Sequence, residues 1–261
     1  MRSLNIAATG MLAQQLNVEV ISNNIANMNT TGFKRQRAEF QDLLYQSEER
    51  VGTNSSDTGT IVPSGVQMGL GVKTAAVYRI GQQGNLVSTD NTYDLAIQGK
   101  GYFKIKLPSG DTAYSRAGSF QLSPQGKLVT TEGFEVSPGI TIPANAVSVT
   151  IDSSGEVMVK IDGQVAPQNV GQLELATFSN EAGLEAKGDN LLLETPASGT
   201  ATTSTAGSPG VGTILQGFLE TSNVNVVQEI TNLITAQRAY EMNSKVIETS
   251  DEMMRTLTSM R

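Results

Sequence analysis

The chain is 261 residues long and carries 18 Lys and Arg against 25 Asp and Glu, a net charge of −7, so it is large enough for a real core and for two modules. Cysteine, histidine and tryptophan are absent, which excludes disulfides, thiolate chemistry, imidazole metal ligands and every histidine-based general base. Charged residues make up 16% of the chain where about 25% is usual, so a largely neutral, polar surface is expected.

No apolar run approaches the ~20 residues that span a bilayer. No basic-then-apolar segment follows Met1, so the sequence predicts a soluble chain without direct membrane insertion or a cleavable leader. Net charge is 0 over residues 1–50 (5 basic, 5 acidic), −5 over 51–217 (9 and 14) and −2 over 218–261 (4 and 6). None of these regions attracts nucleic acid or anionic lipid.

The first predicted element is a helix over 4–28. Positions 4, 7, 11, 14, 18, 21, 25 and 28 read Leu, Ala, Met, Gln, Val, Ile, Ile, Met, the 3-4 alternation of a heptad seam carried by Leu4, Met11, Val18, Ile21 and Ile25. It stops in Asn29-Thr30-Thr31-Gly32, where short polar side chains and glycine favour a turn. Residues 52–71, rich in Gly, Ser and Thr, read as a loop or linker without a core of its own.

The middle of the chain is punctuated by glycine and has no sustained helical period. Leu95–Ile97, Tyr102–Ile105, Lys127–Val129, Val147–Ile151, Val157–Ile161 and Leu173–Phe178 are short, β-branched or alternating, and separated by turns such as Pro124-Gln-Gly126 and Asp162-Gly163. An antiparallel all-β domain over 77–197 is predicted, followed by a low-complexity linker over 198–217.

After Ser222-Asn223, expected as an N-cap pair, a helix of about 35 residues should begin near Val226. Its apolar positions are Val226, Ile230, Leu233, Ile234, Tyr240, Ile247, Met254 and Leu257, with Gln237, Ser244 and Asp251 breaking the same track. Polar seam residues can fix register and partner number at a cost in stability. The fold expected is α+β: terminal helices (1–33 with 218–261) forming a discontinuous coiled-coil domain, an extended segment over 34–76, and the β domain inserted between them.

Chemical motifs are weak. Gly69-Leu-Gly71-Val72-Lys73-Thr74 lacks the glycine a phosphate loop needs before its lysine, and Gly99-Lys100-Gly101 precedes a strand rather than a helix. Asp152-Ser-Ser-Gly155-Glu156 lacks the alternating ligands of a calcium loop and reads as a hairpin turn. No metal site, cofactor or catalytic residue is predicted. One enzymatic alternative remains, a secreted glycan-active β protein using an Asp/Glu pair, although no pair stands out among the 25 acids.

The terminal segments carry a resemblance. Ser22-Asn23-Asn24-Ile25-Ala26-Asn27-Met28-Asn29-Thr30-Thr31-Gly32-Phe33-Lys34 resembles the amino-terminal signature of the bacterial flagellar axial family of rod and hook proteins. Leu219-Glu220-Thr221-Ser222-Asn223-Val224 and Ala236-Gln237-Arg238-Ala239-Tyr240-Glu241 are similar to its other end. Interior matches are Asp94–Ile97 with Gln98–Phe103, Ser115-Arg116-Ala117-Gly118-Ser119-Phe120, and Ile140–Ala144.

Within that family, Ala38–Tyr45 and the Gly- and Ser-rich stretch after it are similar to the distal-rod branch; another rod or hook subunit is the alternative. The resemblance implies a non-enzymatic homo-polymer, with proximal rod proteins at one end, the hook at the other, and periplasmic and outer-membrane ring proteins around it. It implies a place in the basal-body rod and passage through the flagellar export apparatus. It also implies that the stretch holding Tyr45, Pro63, Gly65, Gly69 and Gly71 stiffens the rod.

Overall fold

The computed structural model describes residues 2–48, 65–164 and 166–259. They fall into two compact units, one made of the chain up to Ile25, residues 36–78 and the chain from Val226 onward, the other of residues 26–35 and 79–225. No helix among the described residues is long and apolar enough to cross a membrane.

The first unit contains two helices, α1 (Arg2–Ala26) and α2 (Val226–Ser259). The first ends two residues earlier than periodicity predicts. Asn27 starts a turn there, its carbonyl accepting the Thr30 N–H at 3.2 Å and its Oδ1 accepting the Thr30 hydroxyl at 3.1 Å. Gly32, at φ +69°, then redirects the chain.

The buried face of α1 is Ala7, Ala13, Val20, Ile21 and Asn24. Ala7 and Ile21 belong to the predicted seam, but the centre of the buried face is turned ~80° around the axis from it, and Leu4, Met11, Val18 and Ile25 are only half-buried. On α2 the buried residues are Glu229, Ala236 and Ser250, with half-buried Asn243 completing a seven-residue spacing. The two helices run antiparallel: Asn24 meets Glu229, and a β-carbon at Gly10 would come within 2.9 Å of Asn243 Nδ2. The seam read from the sequence picks out large apolar side chains, whereas the meeting points between the helices are polar, Asn24 with Glu229 and Asn243 over Gly10.

A two-stranded ribbon belongs to the same unit. Its outgoing side is β1 (Gln36–Asp42) and β2 (Tyr45–Ser47), its returning side β3 (Gln67–Gly69) and β4 (Val72–Arg79). β1 pairs with β4, and β2 with β3 in the register Tyr45↔Gly69, Gln46↔Met68, Ser47↔Gln67. Backbone bonds at Leu43, Glu48 and Leu70 bridge the gaps. Residues 65–71, expected to be loop, thus contribute Gln67–Gly69 to the ribbon, and Val66, Leu70 and Gly71 also bond to the partner strand. The ribbon tracks α1, with Gln36 held by Asn24, Gly71 against Thr9, and Glu48 paired with Arg2.

The second unit is β-rich. All six predicted strands are present, and the strand Tyr102–Lys106 is central, pairing antiparallel with Thr112–Ser115, Glu135–Val136 and Glu174–Thr177. Ala146–Ile151, Glu156–Ile161 and Gln168–Gln172 make a separate three-stranded sheet. The core gathers Leu95, Ile97, Phe103, Phe120, Leu175 and Ile214 among others, and Phe103 meets Phe120 edge to face at 5.0 Å.

The expected linker over 198–217 is instead integrated into this unit. Thr202–Thr205 pairs with Glu174–Thr177, Thr213–Gln216 pairs with Leu95–Gln98, and Ser198 and Ile214 are each 1% exposed. Composition underrates such a segment because its hydrophobic support comes from strands distant in sequence.

Candidate functional site

The family-like motifs converge within the β-rich unit. Gly32 donates its N–H to the Glu220 carbonyl at 2.8 Å, and a β-carbon at Gly32 would sit 2.8 Å from the Ala117 nitrogen, so only glycine fits. Two residues on, Lys34 Nζ reaches Glu220 Oε1 at 2.6 Å and the Gln82 carbonyl at 3.0 Å. Arg116 Nε donates to Glu220 Oε2 at 2.5 Å, while its Nη atoms donate to the carbonyls of Ile97, Gly99 and Gly101. Gly84 N–H completes the carboxylate at 2.9 Å.

This cluster is buried: Glu220 is 1%, Arg116 7% and Lys34 9% exposed. Burial pushes the Glu220 carboxyl upward, but Arg116 and Lys34 together outweigh it and hold the group below the ordinary glutamate range. Burial is also the largest influence on Lys34, whose ammonium is held below its usual value despite Glu220. The arrangement ties the chain entering this unit, the chain leaving it and the Ser115–Phe120 motif into one knot.

Two asparagines clamp backbone nearby. Asn223 Oδ1 accepts the Arg35 N–H at 2.7 Å, and its Nδ2 donates to the carbonyls of Ile80 and Gln82 at 3.1 and 2.9 Å. The predicted N-cap role is therefore corrected: the side chain satisfies crossing backbone segments and not the start of α2, while Ser222 accepts the Val224 N–H at 3.3 Å. Replacing Asn223 by alanine should cost about 1–3 kcal/mol by orphaning these groups, read as a lower urea midpoint; an unchanged midpoint would show the clamp to be idle.

In the first unit Asn24 performs the same kind of task. Its Oδ1 accepts the Gln36 N–H and its Nδ2 donates to the Gln36 carbonyl, both at 2.8 Å, with a further bond to Glu229 Oε2 at 3.2 Å. It is 1% exposed, so it is a buried bridge rather than a helix-ending cap.

The other predicted residues are scattered. Asn23 and Ala26 are exposed, and Asn27, Thr31 and Phe33 half-buried. Gln237, Arg238, Tyr240 and Glu241 lie exposed along α2; Gln237, Tyr240 and Glu241 line, with Gln15, Val18 and Glu19, an open groove of about 520 Å³ between the helices. Val226, Leu233 and Ile247 are half-buried, whereas Ile230, Ile234, Tyr240 and Met254 are 45, 46, 43 and 37% exposed. Tyr45 is exposed, with Gly69 opposite its ring, and Gly71, at φ +125°, passes tightly over Thr9. Gly65 precedes the returning strand of the ribbon, and Pro63 lies outside the described residues.

Sequence reasoning missed Lys34, Arg116, Glu220 and Glu229 as a working set. The available signal was their charge, conspicuous in motifs of a chain that is only 16% charged. Among the described residues no group of three or more acidic side chains could hold a metal.

Three family descriptions match the chain: flagella basal body rod protein over residues 4–34, flagellar hook protein FlgE/F/G D1 domain over 96–159, and flagellar basal body rod FlgEFG protein C-terminal over 215–260. The chain is 64% identical over 261 residues, all of both chains, to the flagellar basal-body rod protein FlgG of Caulobacter vibrioides. It is 54% identical over 253 residues to the protein of that name from Agrobacterium fabrum, covering 97% of each chain. The Bacillus subtilis counterpart is 40% identical over 267 residues, covering 100% of this chain and 99% of its own.

Proposed function

The chain belongs to the flagellar basal-body rod protein family, and we infer that it is a structural, non-enzymatic subunit of the flagellar distal rod. It resides in the basal-body rod and polymerises with itself and with other rod and hook components. The glycan-active alternative falls with that membership, since the family is structural.

The supporting observation is the surface of α2. Val227, Ile230 and Ile234 form one apolar patch, and Met242, Val246 and Met253 a second, with exposures between 45 and 76%. Fully burying one such side chain is worth about 1.5–3 kcal/mol, so association that covers both patches is strongly favoured. In this reading the terminal helices pair as coiled coils with their neighbours through Leu4, Met11, Val18, Ile21 and Ile25 on one side and Val226, Ile230, Leu233, Ile234, Tyr240, Ile247 and Met254 on the other. The β-rich region serves as an inserted all-β domain on the outside, facing the periplasmic and outer-membrane rings. The ribbon holding Tyr45, Gly69 and Gly71 stiffens the rod by reaching a neighbour, and the cysteine-free chain passes unfolded through the export apparatus.

The test is the double substitution Ile230→Asp and Ile234→Asp. The variant should retain the far-ultraviolet circular dichroism of the parent monomer, because both residues already face solvent, yet build no rods and support no swimming. Normal rods from this variant would sink the interface assignment.

A further inference from the structure

A second feature of the β-rich unit remains unused. An open pocket of about 360 Å³ lies beside the Lys34, Arg116 and Glu220 cluster, and its wall includes Lys34, Lys100, Tyr102, Arg116, Ser179 and Glu181. Lys34 spends two of the three N–H donors of an ammonium on Gln82 and Glu220. Arg116 spends four of the five of a guanidinium on Glu220, Ile97, Gly99 and Gly101. Among the described residues, one donor therefore remains without a partner on each buried cation.

Lys100 is exposed, and its ammonium has no hydrogen-bond or ion-pair partner among the described residues. Glu181 is the single acid in the wall, and it already accepts the Tyr102 hydroxyl at 3.2 Å. Glu220 already pairs with Lys34 and Arg116 behind the wall, so the three cations and two carboxylates leave a net charge of +1, carried by Lys100, on a chain whose net charge is −7.

We propose that this pocket is an acceptor for an Asp or Glu carboxylate of an adjacent copy of the same chain. A carboxylate has two oxygens and about four lone-pair sites, enough to take the spare donors of Lys34 and Arg116 and to pair with Lys100. The occupant follows from charge: a cationic recess on an acidic, self-polymerising chain is complementary to the rest of that chain's own surface. The assignment rests on the polymer reading above and adds to it a polar, register-setting contact distinct from the apolar patches of α2.

The test uses rods isolated from cells that build them from this chain. A water-soluble carbodiimide condenses an amine with a carboxylate in contact, forming an amide while the reagent takes up the lost water as a urea. Covalent dimers should appear in which the Lys100 peptide is joined to an acidic peptide of a second copy. Ser179→Asp, which plants a carboxylate in the pocket, should abolish that link without lowering the unfolding midpoint of the monomer. Dimers without a Lys100 link, a Lys100 link to Glu181 of the same chain alone, or undiminished linkage in Ser179→Asp would each overturn the proposal. So would inorganic phosphate raising the midpoint of the parent monomer but not of Lys100→Gln, which would make the pocket a site for free anions. Cells that build no rods from the parent chain would instead defeat the polymer reading itself.

Discussion

Glu220→Gln is expected to destabilise the β-rich unit by about 3–5 kcal/mol, the usual cost of removing one partner from a buried ion pair. The carboxylate is 1% exposed and neutralises two cations that are themselves buried. Glutamine keeps the volume and some of the hydrogen bonding but leaves Lys34 and Arg116 facing each other unneutralised. The measurement is urea unfolding at neutral pH.

The pH dependence has a definite sign. Glu220 titrates below the ordinary glutamate range in the folded chain, so its contribution is fully present above the unfolded-state value, about 4.3, and is lost as pH falls through the lower folded-state value. The stability gap between parent and Glu220→Gln should therefore be widest at neutral pH and close in acid, where protonated glutamate resembles glutamine. A gap independent of pH would mean that shape and not charge makes this contact.

Phe103→Ala should cost about 3–5 kcal/mol, the range for deleting a large buried aromatic. Phe103 is 0% exposed, packs edge to face on Phe120 at 5.0 Å and sits on the central strand, beside Gly118, where a β-carbon would overlap the Leu95 carbonyl. Neighbouring backbone is too tightly placed to collapse into the cavity. Phe103→Leu, which restores most of the volume, should recover over half of the loss; equal losses for the two variants would argue that the ring's edge-to-face geometry dominates. In cells, Phe103→Ala should lower rod number through loss of folded subunit, whereas Ile230→Asp with Ile234→Asp removes rods from folded subunit.

Both helices, the six strands and the turn at Gly32 were legible because each depends on residues within one or two turns of chain: periodicity, β-branching, and glycine where φ is positive. The inward face of the helices was legible only in part. Hydrophobic periodicity found the buried Ala7 and Ile21, but it weights Leu, Ile, Met and Val, whereas the helices meet at Asn24 with Glu229 and at Gly10 with Asn243. The strands over 198–217 escaped for a related reason: Ser, Gly and Thr form strands when a partner edge is offered, and composition cannot see the partner.

The sequence by itself determined that no thiol or imidazole chemistry is available, that long helices bracket a β-rich middle, and which motifs matter, since composition and short-range pattern carry that information. Only the tertiary structure decided that Lys34, Arg116 and Glu220, separated by as many as 186 positions, form one buried charge cluster, and that Asn223 clamps backbone instead of capping a helix. Such contacts are made by chain ends returning to one place, and their energy comes from removing paired charges and backbone groups from water together, a condition set by the surrounding fold and by no local run of residues.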